Sequence, residues 1–331
     1  MKPKIRVIAT GGTISKGIDS MNESQCTLEV KDLIAMIPDI SNYADIECED
    51  FCRIPSPYLS IQEAFSLVVR VKDILNKDQK ISGIVITHGT SSMEETAFLC
   101  WLLIDDPRPV VFTGAVIPPK YADTDGPRNI LNAIKIAGFV KARKNGVLVC
   151  LNNEINSARY VRKTHSILTG TFKAGKHGIL GYVTKDRIVF FNKPLNQINL
   201  KTEKIDPNID LIKLALGSGI RQIKESIKAN VSGIVIEAMG SGNMPPLILD
   251  AIIQARKRGI PVVVVSRCDE GLIEKRKLWN DNGIVSGGDL DGLKARILLC
   301  LLVTITKESK RIQKYFDLLI GQNARTTDNV L

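Results

Sequence analysis

One recurrence constrains this chain more than any other feature. Short runs of β-branched and apolar residues return along its 331 positions: "IRVIAT", "SGIVITHG", "RPVVFTG", "GVLVCLN", "SGIVIEAMG" and "IPVVVVS". Each is bounded by glycine, proline or polar residues. Most are apolar throughout, the pattern of strands buried on both faces of a parallel sheet. Helical periods run between them. "SIQEAFSLVVRVKDILNK" opens on Ser60 with Glu63 at capping-box spacing. "GPRNILNAIKIAGFVKARK" has proline early and bases late, as helix ends favour. Alternation of strand and helix predicts an α/β protein with two α/β domains. The larger, N-terminal domain carries a mostly parallel, doubly wound sheet, and the smaller, C-terminal domain is also parallel. The polar, proline-containing "FFNKPLNQINLKTEKIDPNIDL" reads as the connection between them. The expected division is 1–192, a linker over 193–210, and 211–331.

Composition narrows the function classes. Aromatics make up only 5% of the chain, which disfavours stacking on nucleic-acid bases. The net charge of +10 is spread along the sequence, and its densest cluster, Lys275-Arg276-Lys277, is short. That charge suits the attraction of small anions as well as it suits any polyanion, and no nucleic-acid partner is expected. Seven cysteines at irregular spacing, with three histidines and no paired CxxC, suggest neither a disulfide framework nor a metal site. A reducing cytoplasm fits them. The start, "MKPKIRVIAT", lacks an apolar segment of signal-peptide length. The apolar "ILLCLLVTI" near residue 300 is too short to span a bilayer, so no membrane partner is expected.

In doubly wound sheets, ligands bind beyond the carboxyl ends of the strands. Three strand ends here carry hydroxyls and glycines: Thr10-Gly11-Gly12-Thr13, Thr87-His88-Gly89-Thr90-Ser91-Ser92 and Thr113-Gly114-Ala115. They are expected to face one crevice. Taken alone, "IRVIATGGTIS" reads equally as a tight turn whose threonines cap the backbone. A dinucleotide-binding reading fails, because the G-x-G-x-x-G spacing is absent and no acid follows at the right distance.

Taken in order, "ATGGTIS", "THGTSSMEETA", "FTGAVIPP", "DGPRNILNAI", "NSARYVRKTHSILTGTFKAGKHGILGYV", "GSGNMPP" and "DLDGLKARILL" resemble the bacterial-type asparaginase/glutaminase family over nearly the whole chain. The resemblance implies hydrolysis of a small carboxamide through a threonine nucleophile and an acyl-enzyme, without cofactor or metal. It implies Thr13 as first nucleophile, Thr90 as second reactive threonine and Lys163 as the base beside it. An alcohol needs such a base before it attacks. Backbone N–H groups from Gly89 to Ser91 and at Ala115 are the implied oxyanion donors. Gly12, Cys26, Ser56, Gly89, Ser91, Ala115 and Asn243 are the implied substrate-binding positions. His88 reads as structural. A homodimer or homotetramer is implied by the resemblance alone.

Several positions depart from the family pattern. Ser91 stands where the family has an aspartate that anchors the substrate α-ammonium. Cys26 replaces a tyrosine. Pro57 follows Ser56 where a glutamine is usual. Arg276 lies near the place of a glutamate from the neighbouring subunit. The losses fall on the ammonium site, and the acyl-transfer residues remain. Three readings follow. In the first, the substrate is an amide lacking a free α-ammonium group. In the second, the protein is an ordinary L-asparaginase. In the third, it is a catalytically silent binding protein, against which the retained Thr13, Thr90 and Lys163 weigh.

Overall fold

The computed structural model describes residues 2–17, 26–194 and 197–320. The chain divides into two compact units between Asn199 and Leu200. The first is built on strands β1 (Lys4–Ala9), β2 (Asp45–Asp50), β3 (Ile81–Thr87), β4 (Val110–Thr113), β5 (Val147–Leu151) and β6 (Glu154–Ser157). A small ladder, β7 (Arg162–Lys163) with β8 (Phe172–Lys173), stands apart from that sheet. Strands β9 (Gly181–Val183) and β10 (Ile188–Phe190) complete it. The spatial order is β10-β9-β6-β5-β4-β3-β1-β2. The pairs from β2 to β5 are parallel. Those from β5 through β6 and β9 to β10 are antiparallel.

Helices cover this sheet on both faces. Helices α1 (Val30–Ala35) and α4 (Gly126–Ala137) share a core with Ile5, Val7, Val85, Val111 and Leu148. Helix α2 (Ile61–Lys77) begins as the sequence predicts. Ser60 Oγ accepts the Glu63 N–H at 3.1 Å, and Glu63 Oε2 accepts the Ser60 N–H at 2.7 Å. It packs on α3 (Met93–Leu103), an almost wholly buried helix that also rests on β5. Helix α4 is shorter than its periodicity suggests. It stops before Gly138, and a separate single turn follows at Val140–Ala142.

The second unit is a parallel sheet in the order β11 (Ile209–Lys213), β12 (Gly233–Ala238), β13 (Val262–Ser266), β14 (Val285–Ser286). Helices α5 (Arg221–Lys228) and α6 (Pro246–Lys257) pack together, and the short α7 (Lys277–Asp281) adds the buried ring of Trp279 to their core. Helix α8 (Gly292–Leu302) lies on β11 and β12, and α9 (Ser309–Leu319) on β14. Both sheets are as the sequence predicts. Among the described residues, no helix is long and apolar enough to cross a membrane.

Candidate active site

The register of the first sheet decides where the three hydroxyl-bearing loops emerge. Ala9 pairs with Thr87, and Thr87 with Thr113, so β1, β3 and β4 end level at one sheet edge. The Thr10 N–H and hydroxyl both donate to the Thr87 carbonyl at 3.0 Å, and the His88 N–H donates to the Thr113 carbonyl at 2.8 Å. The loops therefore leave the sheet already tied together.

This arrangement explains the paired glycines. Gly11 and Gly12 have φ of 100° and 84°, where side chains are strained. A Cβ on Gly11 would lie 2.6 Å from the Ile54 nitrogen, and one on Gly12 would lie 2.2 Å from Gly89 Cα. Two backbones touch here with no room for a methyl group. The residue after each of the touching glycines is a candidate threonine, Thr13 on one loop and Thr90 on the other. Thr13 opens a single 3-10 turn, Thr13–Ser15.

Thr90 is 5% exposed, and Lys163 Nζ donates to its Oγ1 at 2.8 Å. Lys163 reaches this point from β7, where its backbone N–H donates to Glu94 Oε2 at 2.8 Å. Burial of Lys163 pushes its pKa below the usual lysine value, and the charge of Glu94 opposes that in part. Desolvation wins, which favours the neutral amine needed to take a proton.

Ser56 ties a third segment to the Thr90 loop. Its Oγ accepts the Ser91 N–H at 3.2 Å, and its carbonyl accepts the Ser92 hydroxyl at 2.9 Å. The Ser91 N–H is thus engaged by the protein and is not a free oxyanion donor, contrary to the sequence expectation for that amide. Among the described residues, the N–H groups of Gly89, Thr90 and Ala115 have no protein acceptor. Ala115 is fully buried, and a buried amide without an acceptor is uncommon.

The β4 loop is braced by residues that the sequence does not single out. Asp125 accepts the N–H groups of Val116 and Ile117, at 3.0 and 2.9 Å. Asn129 Nδ2 donates to Asp125 and to the Gly114 carbonyl, and its Oδ1 accepts the Asn152 N–H. "DGPRN" signals a helix start, yet Asp125 makes no side-chain cap and faces back to the loop instead. Glu94, one letter of a motif in the sequence, is the group that holds the Lys163 backbone.

The remaining predicted positions divide. The Cys26 thiol accepts the Gly12 N–H at 3.1 Å, so Cys26 meets the Gly12–Thr13 loop itself. Asn243 lies in the second unit, after β12, and its side-chain oxygen accepts from Arg276 at 3.2 Å. His88 is buried, and its Nδ1 lies 2.8 Å from the Gly89 carbonyl. A carbonyl only accepts, so Nδ1 carries the proton. Burial drives the His88 pKa down to about 4, although the Gly89 bond raises it somewhat. Among the described residues, no hydrogen bond joins His88 to either threonine, and its Nε2 is buried without a partner. Nor, among them, is any group of three or more His, Cys, Asp or Glu side chains placed to hold a metal.

Comparison with known proteins gives this geometry its family. The model "Asparaginase, N-terminal" matches residues 4–196, and "Glutaminase/Asparaginase C-terminal domain" matches 208–316. The chain belongs to the asparaginase family. It is an amidohydrolase of that family, and its relatives are alike over nearly their full lengths. L-asparaginase 2 of Bacillus subtilis (strain 168) is 32% identical over 327 residues, 95% of this chain and 86% of that protein. A glutaminase-asparaginase of Pseudomonas fluorescens biotype A is 30% identical over 326 residues, 94% and 89% of the two chains. The crystal structure of a probable cytoplasmic L-asparaginase from Campylobacter jejuni matches with a TM-score of 0.87 at 31% identity. That match covers 95% of this asparaginase-family chain and 99% of the other.

Proposed function

We propose that the protein is an L-asparaginase, hydrolysing the side-chain amide of asparagine to aspartate and ammonia through Thr13, Thr90 and Lys163. The observation that carries this reading is the 2.8 Å bond from Lys163 Nζ to Thr90 Oγ1, beside a Gly12–Gly89 backbone contact that brings the Thr13 loop against it. Thr13 Oγ1 attacks the amide carbon. The Thr90–Lys163 pair takes up the proton, and the N–H groups of Thr90 and Ala115 hold the developing oxyanion. Collapse returns that proton to the leaving nitrogen, which departs as ammonia, and water then attacks the acyl carbon, giving its proton back through the same pair to Thr13. Gly12, Gly89, Ser56 and Ser91 shape the substrate position. A substrate-binding role for Asn243 and assembly as a homodimer or homotetramer rest on the family resemblance. The relatives named L-asparaginase support free asparagine as substrate over the amide without an α-amino group that the replaced acids suggest.

The reading in which the substrate lacks a free α-ammonium keeps one observation in its favour. Ser91 is exposed and carries no charge, so its side chain offers an α-ammonium only a hydroxyl oxygen. Ammonia release from asparagine, glutamine, N-acetylasparagine and succinamate decides between them. Turnover of asparagine above that of the two acylated or deaminated amides supports the proposal, and the reverse order supports a substrate without a free α-ammonium. The free thiols and the name of the Campylobacter jejuni structure support a cytoplasmic location.

A further inference from the structure

Gly12 is the hinge on which the candidate nucleophile hangs. Its Cα lies against the Gly89 backbone, and its carbonyl accepts the Ser15 N–H at 3.0 Å to close the Thr13–Ser15 turn. Among the described residues, its other polar contacts come from one side chain. Cys26 Sγ accepts the Gly12 N–H at 3.1 Å and donates to the Gly12 carbonyl at 3.4 Å. Cys26 is 8% exposed and is held opposite the loop by a backbone bridge to Lys16.

We propose that Cys26 is a positioning residue for amide hydrolysis: its thiol grips both polar groups of Gly12 and so fixes the peptide that aims Thr13. The inference rests on Thr13 being the nucleophile. Only a protonated thiol is donor and acceptor at once. Burial raises the Cys26 pKa, against the lowering effects of the Gly12 bond and the charge of Lys16, so the thiol form prevails at neutral pH. A nucleophilic cysteine needs the opposite shift. Sulfur hydrogen bonds are weak, so the effect is on geometry more than on stability. Small misplacements of a reacting atom cost as much as about 100-fold in rate.

The test compares Cys26→Ala, which removes both bonds, with Cys26→Ser, which keeps a donor and an acceptor. We expect Cys26→Ala to lower kcat about 10- to 100-fold with KM within about threefold, and Cys26→Ser to recover most of that loss. Melting temperatures of the two variants should agree within a few degrees. Unchanged kcat in Cys26→Ala, a change confined to KM, or no recovery by serine each overturns the inference. Should Cys26→Ala fail to fold, Cys26→Val carries the same expectation. Thr13→Ala run alongside separates the two levels. If it keeps wild-type kcat, the nucleophile assignment itself fails. If it is inactive while Cys26→Ala keeps wild-type kcat, only the positioning role fails.

Discussion

Lys163 is where burial and chemistry meet most directly. A lysine base works as the neutral amine, so turnover should rise with pH through the Lys163 pKa, which lies below the usual lysine value. Glu94 supplies the charge that raises that pKa. Glu94→Gln should therefore move the rising limb of the kcat profile to lower pH, and an unmoved limb would mean that another group titrates. Ser91→Asp should raise kcat/KM for asparagine by about one order of magnitude if the new carboxylate meets the α-ammonium. His88 gives a prediction of another kind. Its folded-state pKa of about 4 lies below the unfolded value of about 6.5. The unfolded chain takes the proton first, so stability is lost as pH falls from about 6.5 towards 4, by up to about 3 kcal/mol. Unfolding free energies at pH 7 and pH 4.5 should show that loss in the wild type and much less of it in His88→Asn, whose amide still donates to Gly89.

At the scale of elements, the site depends on loops that touch without side chains between them. Gly12→Ala places a methyl group 2.2 Å from Gly89 Cα at a φ of 84°, so the Thr13 and Thr90 loops must part. A cost of about 2–4 kcal/mol and a loss of activity of at least about 100-fold are expected. Gly219→Ala, with nothing within 4 Å of its Cβ, is the matched control and should change neither melting temperature nor kcat. These loops are legible in the sequence because β3 and β4 are apolar on both faces, β1 becomes so over Val7–Ala9, and all three stop abruptly at threonines and glycines. Strand β2 is not, since "DIECED" looks like a solvated acidic segment. It is an edge strand whose acids pair with neighbours: Glu47 with Lys4 at 2.7 Å, and Glu49 with Arg70 at 2.7 Å. The antiparallel strands from β6 to β10 are too short to leave a period. The base role of Lys163 comes from family resemblance alone, because a lysine's burial and its 2.8 Å reach to Thr90 are products of the folded chain. The brace at Asp125 is hidden by its likeness to a helix cap.

For the whole molecule, the relevant property is charge. Forty-five lysines and arginines against 35 acids leave the chain at +10, and in a homo-oligomer that excess multiplies. A field of that sign attracts anions over a Debye length that shrinks from about 30 Å at 0.01 M salt to about 8 Å at 0.15 M. Asparagine is a zwitterion of zero net charge and feels little of it. N-acetylasparagine and succinamate lack the ammonium group and carry one net negative charge, as does the product aspartate. Salt should therefore leave kcat/KM for asparagine nearly flat. It should lower kcat/KM for the anionic amides about two- to fivefold between those ionic strengths, and weaken product inhibition by aspartate in parallel. The comparison also bears on the substrate. Ser91, where the family pattern has an aspartate, adds no negative charge to oppose that field, so the preference between an anionic amide and asparagine is itself salt-sensitive. An asparaginase would hold its rate with asparagine as salt rises. Equal salt slopes for all three amides would show that the excess charge lies away from the approach to Thr13 and plays no part in substrate capture.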